Sequence, residues 1–381
     1  MTGWPEIPLA EAARLIRGTE PGSASYTDVS RGVRFLRVGD ITGKTDNPVF
    51  TESSQVVLVN NSDLLLTLDG SPGYVSAGHE GAISSGIRKV EPVDPRRVSL
   101  PWLKYSLMSP PVQETIRRNT TGVTILHAAS AVPHIRIPVP PLSEQERIVR
   151  ILDEAEALRR LRIDADERTS RITAALFDEM FGNPSSNLKG WDTATLGELG
   201  AIVTGNTPPR SDTSFYGNFI EWVKTDNIDA TRGMVKPSAE RLSDTGAMRG
   251  RVVPEGSVLI TCIAGSIDHI GDAAITDRKV AINQQINAIV PSENVESTFL
   301  GSLVRALKPL IQASATGVMT RIINKSELEK IPAIIPPPPP QRQFAARVTE
   351  IRELESVQAT SRQRLDDLFQ SLLHRAFQGE L

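Results

Sequence analysis

The feature that most constrains the fold is a pair of long stretches without glycine or proline. The chain has 27 of each residue, yet neither occurs in 142–181 or in 341–378. Both stretches are rich in Glu, Arg, Leu and Ala, which favour helix. Each follows a run of prolines and ends before a glycine, as helices do. The first is therefore predicted to form one helix of nearly 40 residues, on the order of 57 Å long.

The apolar residues of this first helix recur at alternating three- and four-residue spacing. They are Ile148, Ile151, Ala155, Leu158, Ala165, Ile172 and Leu176. This spacing is typical of a coiled-coil seam, although Arg162 and Thr169 interrupt its centre. Ser143 and Glu146 have the spacing of a capping box at the start of the helix. Such a helix cannot bury its apolar face alone, so a partner helix of similar length is expected.

The partner is the second stretch, because a shift of 196 residues overlays the two. The shift places Gln145 on Gln341, Ile148 on Phe344, Leu158 on Leu354, Ile172 on Leu368 and Phe181 on Phe377. Shorter matches at a similar shift occur between the regions that precede the helices, so the chain is predicted to be an internal duplication. The predicted parts are a globular domain at 1–139, a helix at 140–182, a second domain at 183–335 and a second helix at 336–381. The alternative is that both helices belong to one large domain.

Composition and charge limit the class of protein. The chain of 381 residues is 39% hydrophobic, and its only cysteine, Cys262, lies in an apolar run that predicts a core strand. One cysteine excludes an intramolecular disulfide and, with no signal-peptide pattern in 1–10, favours a cytoplasmic protein. The net charge is −3 and no segment is strongly basic, so high intrinsic affinity for a polyanion is not expected.

In the first domain, Ala12, Leu15 and Ile16 suggest a short helix, and 34–38 alternates like a strand.

Three short stretches of the sequence resemble motifs of a known family. The PPLSEQERIV run at 140–149, the Gly205-Asn206-Thr207-Pro208 opening and the Asn283-Gln284-Gln285 segment resemble motifs of the specificity subunit of type I restriction-modification systems. Two departures stand out: Pro-Pro-Pro-Gln at 338–341 replaces Leu-Ser-Glu-Gln at the second helix, and the first domain lacks the Gly-x-Thr-Pro opening.

The resemblance implies an α+β fold, in which two similar globular α/β target recognition domains are separated by two long antiparallel helices. These helices form a coiled coil, and the whole is a pseudo-twofold internal repeat. It also implies a DNA-recognition subunit without catalysis, in which each domain reads half of an asymmetric bipartite site. The implied partners are double-stranded DNA, two modification (methyltransferase) subunits and restriction subunits. The methyl donor S-adenosylmethionine and the ATP and Mg²⁺ would be held by those partners, with no cofactor in this chain.

Two other classes of function are alternatives to this one. A single-chain methyltransferase or nuclease is disfavoured because no Gly-x-Gly turn follows a strand and the five histidines are isolated, so no metal site is predicted. The run Asn206-Thr207-Pro208-Pro209-Arg210 approaches a methyltransferase tetrad, but Arg210 replaces the aromatic ring that would stack on a flipped base. The second alternative is a structural coiled-coil adaptor without direct DNA readout.

The candidate DNA-binding residues are side chains able to contact base edges or phosphates, taken from corresponding loops of the two domains. In the first domain they are Arg31, Arg34, Arg37, Lys44, Tyr74, His79, Arg88, Lys89 and Thr124. In the second they are Arg210, Tyr216, Lys224, Arg232, Lys236, Arg278, Lys279, Gln284 and Arg321. For any one of them a solvated surface position is the commoner explanation, and the clusters in duplicated loops favour DNA contact. No catalytic residue is predicted.

Overall fold

The computed structural model describes residues 3–29, 31–45 and 47–381. By internal contacts the chain forms two compact units. The first comprises Met1–Arg162 with Ser361–Leu381, and the second comprises Ile163–Thr360. Both divisions fall inside a long helix, so each unit contains one globular domain and half of each long helix.

The first domain is built on two sheets. Its strands are β1 (Glu6–Pro8), β2 (Ala13–Arg17), β3 (Tyr26–Thr27), β4 (Val33–Leu36), β5 (Val49–Thr51), β6 (Val57–Val59), β7 (Leu64–Thr67), β8 (Val75–Ser76), β9 (Gly81–Ile83), β10 (Ile87–Pro92) and β11 (Arg136–Pro138). Its helices are α1 (Leu9–Ala12), α2 (Val38–Ile41), α3 (Leu100–Met108) and α4 (Pro110–Arg118), followed by the long α5 (Leu142–Phe181). The sheets have the orders β2-β10-β7-β8 and β3-β5-β4-β9-β6, and β1 pairs with β11.

The second domain is built from a similar set of strands and short helices. Its strands are β12 (Thr193–Thr195), β13 (Gly200–Thr204), β14 (Tyr216–Val223), β15 (Ile228–Asp229), β16 (Met234–Val235), β17 (Arg241–Leu242), β18 (Arg251–Val253), β19 (Val258–Thr261), β20 (Ile263–Ala264), β21 (Ala273–Ile275), β22 (Val280–Ile282), β23 (Ile286–Pro291), β24 (Arg321–Ile322) and β25 (Pro332–Ile334). Its helices are α6 (Leu196–Leu199), α7 (Asp244–Arg249), α8 (Ser297–Ala306), α9 (Lys308–Ala313) and α10 (Lys325–Glu329), followed by the long α11 (Pro338–Gln378).

The two domains share one topology. A short antiparallel pair joins the first and last strands of each domain, β1 with β11 and β12 with β25. The order β2-β10-β7-β8 corresponds to β13-β23-β19-β21 in the larger sheet of the second domain. Each domain also has a parallel pair in an otherwise antiparallel sheet, β4 with β9 and β14 with β22. The predicted internal duplication and α+β class are therefore confirmed.

Half of each long helix packs into the core of its own unit. In the first unit, Ile148 of α5 and Leu373 of α11 share a cluster with Trp102 of α3, whose ring stacks on Phe377 at 5.0 Å between centroids. In the second unit, the ring of Phe181 in α5 packs against Phe299 of α8, with 4.9 Å between ring centroids, and against Phe344 of α11, with 5.5 Å between centroids. Burial of these large side chains supplies the apolar driving force that an isolated long helix lacks.

The helices run antiparallel in the first unit. Arg147, near the start of α5, donates to the carbonyl of Leu381 at 2.5 Å. Arg159, three turns later, donates to Asp366 at 2.6 Å and lies over the ring of Phe369 at 4.6 Å. Advancing along α5 thus means going back along α11, which is the orientation that the family resemblance implies.

The buried face of α5 differs from the predicted seam. The side chains that are buried are Gln145, Ile148, Leu152, Ala155, Thr169, Leu176, Phe177 and Phe181. Leu158 and Ile172, predicted as seam residues, are exposed. The helix carries two apolar stripes, and spacing alone does not decide which one faces the partner helix. Thr169 lies on the inner face, so the polar interruption noted in the sequence is confirmed.

The ends of the long helices follow glycine and proline chemistry. α5 is followed by Gly182 at φ 73° and α11 by Gly379 at φ 75°, a left-handed conformation that glycine adopts at little cost. At the other end, α5 begins at Leu142, so Ser143 lies inside the first turn and the predicted capping box is wrong.

A buried glutamine in the first turn of α5 joins this helix to the first domain. The Gln145 Oε1 accepts the backbone N–H of Ser99 at 3.0 Å. Its Nε2 donates to the carbonyls of Arg97 at 2.8 Å and Pro140 at 2.9 Å. The side chain is fully buried and satisfies three backbone groups where the helix meets the domain.

The second domain repeats this connection at the start of α11. The Gln341 Oε1 accepts the N–H of Glu296 at 2.9 Å, and its Nε2 donates to the carbonyls of Pro336 at 2.7 Å and Asn294 at 3.5 Å. The glutamine of the PPLSEQ motif thus has a structural role in both repeats, including the one in which Leu-Ser-Glu is missing.

One other prediction in the first domain is wrong. Leu15 and Ile16 lie in strand β2, where Ile16 is opposite Lys89 of β10, and only Leu9–Ala12 is helical. Pairing with a sheet has overridden a weak helical pattern. Cys262 lies in the core as predicted, and burial raises the pKa of its thiol to about 12.

Candidate nucleic-acid interface

In the first domain, one carboxylate holds two of the predicted arginines. Arg37 precedes α2, and Asp40 in the first turn of that helix accepts the Arg37 N–H at 2.9 Å. The same carboxylate accepts from the guanidinium of Arg37 at 3.1 Å and that of Arg34 at 2.7 Å. Asp40 is buried, whereas both guanidiniums are partly exposed. The acid therefore fixes two donors at the surface instead of neutralising them in the interior.

The second domain has a corresponding arrangement with different residues. Lys224 follows the parallel strand β14, as Arg37 follows β4, and its N–H donates to Asn227 at 2.9 Å. The Glu240 carboxylate contacts Lys224 Nζ and accepts from Arg210 at 2.8 Å. Hydrogen bonds from Lys224 and, to a smaller extent, from Arg210 lower the pKa of Glu240. Here too one carboxylate organises two cations.

Aromatic rings support the cations of the second domain. The Arg210 guanidinium lies 5.0 Å from the ring centroid of Tyr216 and 5.1 Å from that of Trp222, and the Lys224 ammonium lies 5.2 Å from Trp222. Tyr216 is itself held by donating its hydroxyl to the carbonyl of Pro208 at 2.6 Å. Arg210, which replaces the aromatic residue of a methyltransferase tetrad, therefore stacks on rings within its own domain.

Several other predicted residues make local hydrogen bonds or are exposed at the surface. Lys44 Nζ donates to Ser71 at 3.2 Å, and Gln284 is hydrogen-bonded to Thr207 in the Gly205–Pro208 opening. Arg321 donates to the carbonyl of Gly317 at 2.6 Å. Arg31, Thr124, Arg232, Lys279 and Tyr74 are exposed on the surface of their domains.

A third group is engaged in contacts within the domains. Arg88 is only 7% exposed; it pairs with Asp69 at 3.5 Å and donates to the Ser85 carbonyl. The other members pair as follows: Lys89 with Asp63 and Glu91, Lys236 with Asp229, Arg278 with Glu221 and Asp277, and His79 with Ser76. Burial also lowers the pKa of His79, which favours its neutral form. The structure places Arg88 among the residues that build the domain.

Two residues that organise the clusters were missed by the sequence analysis. Asp40 and Glu240 are acidic, and a search for DNA-contacting side chains passes over carboxylates. Asp40 carries a weak signal that could have found it, because an acid in the first turn of a helix can accept the backbone N–H of the residue before that helix, here Arg37. Glu240 carries none, since it meets Lys224 and Arg210 only through the fold.

Two negative findings apply to residues 3–29, 31–45 and 47–381. No group of three or more His, Cys, Asp or Glu side chains is arranged to hold a metal ion there. No helix in the same residues has the length and apolarity to cross a membrane.

The fold defines a class: a tandem-repeat α+β protein with two similar globular domains and two long helices. The sequence matches the family described as Type I restriction modification DNA specificity domain over residues 1–165 and 188–365. These two matches cover most of the chain, one for each repeat, so the chain belongs to this family.

Individual relatives are distant. The chain is 28% identical over 201 residues to the type I restriction enzyme HindI specificity subunit of Haemophilus influenzae, covering 51% of this chain and 42% of that protein. It is 22% identical to the putative MjaX specificity subunit of Methanocaldococcus jannaschii, covering 65% and 60%. It is 21% identical to the MjaVIII specificity subunit of the same organism, covering 99% and 93%. The matched region is thus about half of the first two relatives and nearly all of the third.

Solved structures show the same fold. One is a chain from work on complex assembly and conformational transition of the type I R-M system, with TM-score 0.58, 19% identity and coverage of 100% of this chain and 98% of that chain. Another is the type I restriction-modification system S subunit from M. genitalium, with TM-score 0.53, 15% identity and coverage of 98% and 96%.

Proposed function

We propose that this chain is the sequence-reading, non-catalytic subunit of a type I restriction-modification complex. Each domain reads one half of an asymmetric bipartite DNA site. The observation that carries the proposal is that each domain has a cation directly after its parallel-paired strand, Arg37 after β4 and Lys224 after β14, and that one carboxylate joins this cation to a second one. The members differ, Arg34 and Arg37 in one domain and Arg210 and Lys224 in the other, so the two half-sites should differ.

The chemistry of these groups suits duplex DNA. Arginine donates two parallel hydrogen bonds to guanine or to phosphate, and lysine contacts phosphate as a point charge. Side chains already held by Asp40 or Glu240 lose less conformational freedom on binding than free ones. The chain as a whole is acidic, at net charge −3, so binding should rely on these local clusters and on partner subunits.

The long helices are proposed to fix the gap between the half-sites and to dock the modification subunits. Beyond their buried faces they carry exposed apolar side chains. In the first unit these include Leu158, Leu161 and Leu368, and in the second unit Leu354, Val357 and Ile172. A shift of 196 residues relates Leu158 to Leu354, Leu161 to Val357 and Ile172 to Leu368.

Each unit therefore presents the same three positions, two from one helix and one from the other. Exposed leucines one turn apart on a helix are a common protein docking feature. Two equivalent surfaces fit two copies of one partner, and we assign them to the modification subunits. S-adenosylmethionine would be bound by those subunits, and ATP with Mg²⁺ by restriction subunits.

Removing the carboxylate-held cations should weaken DNA binding by the assembled complex. We expect Arg37→Ala and Lys224→Ala each to raise the Kd about 5- to 150-fold, since one good base or phosphate contact contributes about 1–3 kcal/mol. Each should also reduce the slope of log affinity against log salt by about one if its contact is to phosphate. Titration of a selected DNA duplex at several salt concentrations measures both effects.

Arg96→Ala is the matched control. Arg96 is a highly exposed arginine of the first domain whose partner, Asp94, is two residues away in the chain. The Arg96→Ala change removes the same charge and should leave the affinity for DNA within about twofold of the wild-type value. If Arg37→Ala and Lys224→Ala behave like Arg96→Ala, the chain does not read DNA through these clusters, as the coiled-coil adaptor alternative predicts.

A further inference from the structure

Both domains carry a small hairpin with an apolar tip. In the first domain, Thr121 and His127 exchange two backbone hydrogen bonds of 2.8 Å. In the second, Thr316 and Ile322 exchange bonds of 2.8 and 2.9 Å. We call residues 121–127 and 316–322 the apolar hairpins. The closing bonds recur at a shift of 195 residues, so the hairpins are equivalent parts of the duplication.

A glycine fixes the shape of each tip. Gly122 has φ 99° and Gly317 has φ 92°. A Cβ at Gly122 would lie 2.1 Å from the carbonyl oxygen of Ile125, and one at Gly317 would lie 2.1 Å from that of Thr320. Each tip is therefore a tight turn with its backbone folded closely on itself, which holds the next residue out from the domain.

That next residue is a valine in both hairpins. Val123 is 100% exposed and Val318 is 88% exposed. The first hairpin adds exposed Ile125 and Leu126, and the second adds Met319, at 91%. The threonine and glycine before each valine have structural reasons to recur, whereas a fully exposed valine packs against nothing in its own domain.

The hairpins lie next to the candidate DNA-contacting loops. In the first domain, the Leu126 carbonyl accepts the N–H of Gly70 at 2.8 Å, and the neighbouring Ser71 accepts a hydrogen bond from Lys44. A Cβ at Gly70 would lie 3.5 Å from Val38, the residue after Arg37. The first hairpin is thus continuous with the surface that holds the cations.

The same continuity exists in the second domain. Strand β24 of the hairpin pairs with β20, and the N–H groups of Cys262 and Ile263 donate to the Gln285 carbonyl at 2.8 and 3.2 Å. Gln284, the preceding residue, is bonded to Thr207 of the domain opening. In both domains an exposed apolar tip therefore shares a surface with the predicted DNA contacts.

We propose that the apolar hairpins are wedges that insert between base steps of the DNA, one in each half-site. This inference rests on the proposed function, because it takes DNA as the ligand of both domains. Domains that read different sequences should differ wherever they contact base edges. An identical exposed valine at equivalent positions instead suits a task that both half-sites share.

Unstacking is such a task. Apolar side chains inserted between base pairs partly unstack them and kink the duplex. A methyltransferase must also take its target base out of the stack, at a cost of a few kcal/mol. Wedges on this chain would lower that cost at each half-site before a modification subunit acts. Contact with a thymine methyl group is the other apolar interaction DNA offers, and it would be sequence-specific.

The test uses the chain assembled with its modification subunits and a duplex selected by that complex from randomised DNA. 2-Aminopurine replaces one base at a time through both half-sites, since its fluorescence rises on unstacking. We expect a fluorescence increase in each half-site on binding. Val123→Ser should abolish it in one half-site and Val318→Ser in the other, each with about tenfold weaker binding. Val93→Ser, at another exposed valine of the first domain, should change neither signal.

Three results would overturn the wedge. One is unchanged fluorescence and affinity in both hairpin variants while the wild-type complex binds its site. Another is an affinity loss that uracil-for-thymine substitution in the DNA reproduces, which would show methyl contact instead. The third is equal loss in both half-sites from either single variant. If the wild-type complex selects no sequence from the library, the proposed function fails first, and the wedge fails with it.

Discussion

Replacing Leu158 and Leu161 by glutamate is expected to remove one of the two modification subunits that we propose dock on the long helices. The double change at Leu354 and Val357 should remove the other, and combining the four should remove both. Each leucine that is covered on docking contributes about 1.5–3 kcal/mol, and a buried unpaired carboxylate costs several more. The expected loss of partner affinity is therefore more than a hundredfold. Native mass spectrometry of the purified complex reports the subunit count directly.

The matched control is Leu188→Glu. Leu188 is 92% exposed and lies outside both long helices, so the same charge is introduced without touching the proposed surface. All the changed side chains are exposed in the chain alone, so its unfolding transition should be nearly unaffected. A complex that keeps two modification subunits in every variant would show that docking uses another surface.

The change Gln341→Leu is expected to destabilise the second domain by about 3 kcal/mol. The change removes the acceptor of the Glu296 N–H and the donor to the carbonyls of Pro336 and Asn294. The Gln341 side chain that makes these bonds is buried. A buried polar group left without a partner costs about 1–3 kcal/mol. Gln145→Leu should have a similar effect on the first domain, because its three bonds are equivalent. Urea unfolding, followed by tryptophan fluorescence, measures the change.

Gln343→Leu provides the same substitution two residues away in α11. Gln343 is exposed, so this variant should stay within about 0.5 kcal/mol of the parent. Equal destabilisation by both changes would mean that leucine disturbs the start of the helix generally. No destabilisation by Gln341→Leu would mean that solvent or a local rearrangement satisfies the backbone groups.

The duplication and the long helices could be predicted because their signals are local. Proline runs, the absence of glycine and proline from 142–181 and the left-handed glycines at 182 and 379 depend only on nearby residues. The inward face of α5 could not be predicted in the same way. Leu152 and Leu158 are equally apolar, and only the packing of the second helix and the domain decides that the first is buried.

The candidate interface was predictable in part for a related reason. The basic side chains are visible as residue types, and the position of Arg37 after a strand is a local feature. Which of them a carboxylate or a ring holds depends on contacts between distant residues, as with Arg210 and Glu240. Arg88 is an example of the opposite error. Its residue type suggests a DNA contact, but its position in strand β10 buries it.

Selection of binding sites from randomised DNA tests the central claim most directly. The chain is assembled with its modification subunits, and bound duplexes are sequenced after several rounds. If two unlike domains are set apart by matched helices, the enriched sites will contain two different half-sites separated by an unread gap of constant length. A single uninterrupted site, two identical half-sites, or a gap that varies freely would contradict it.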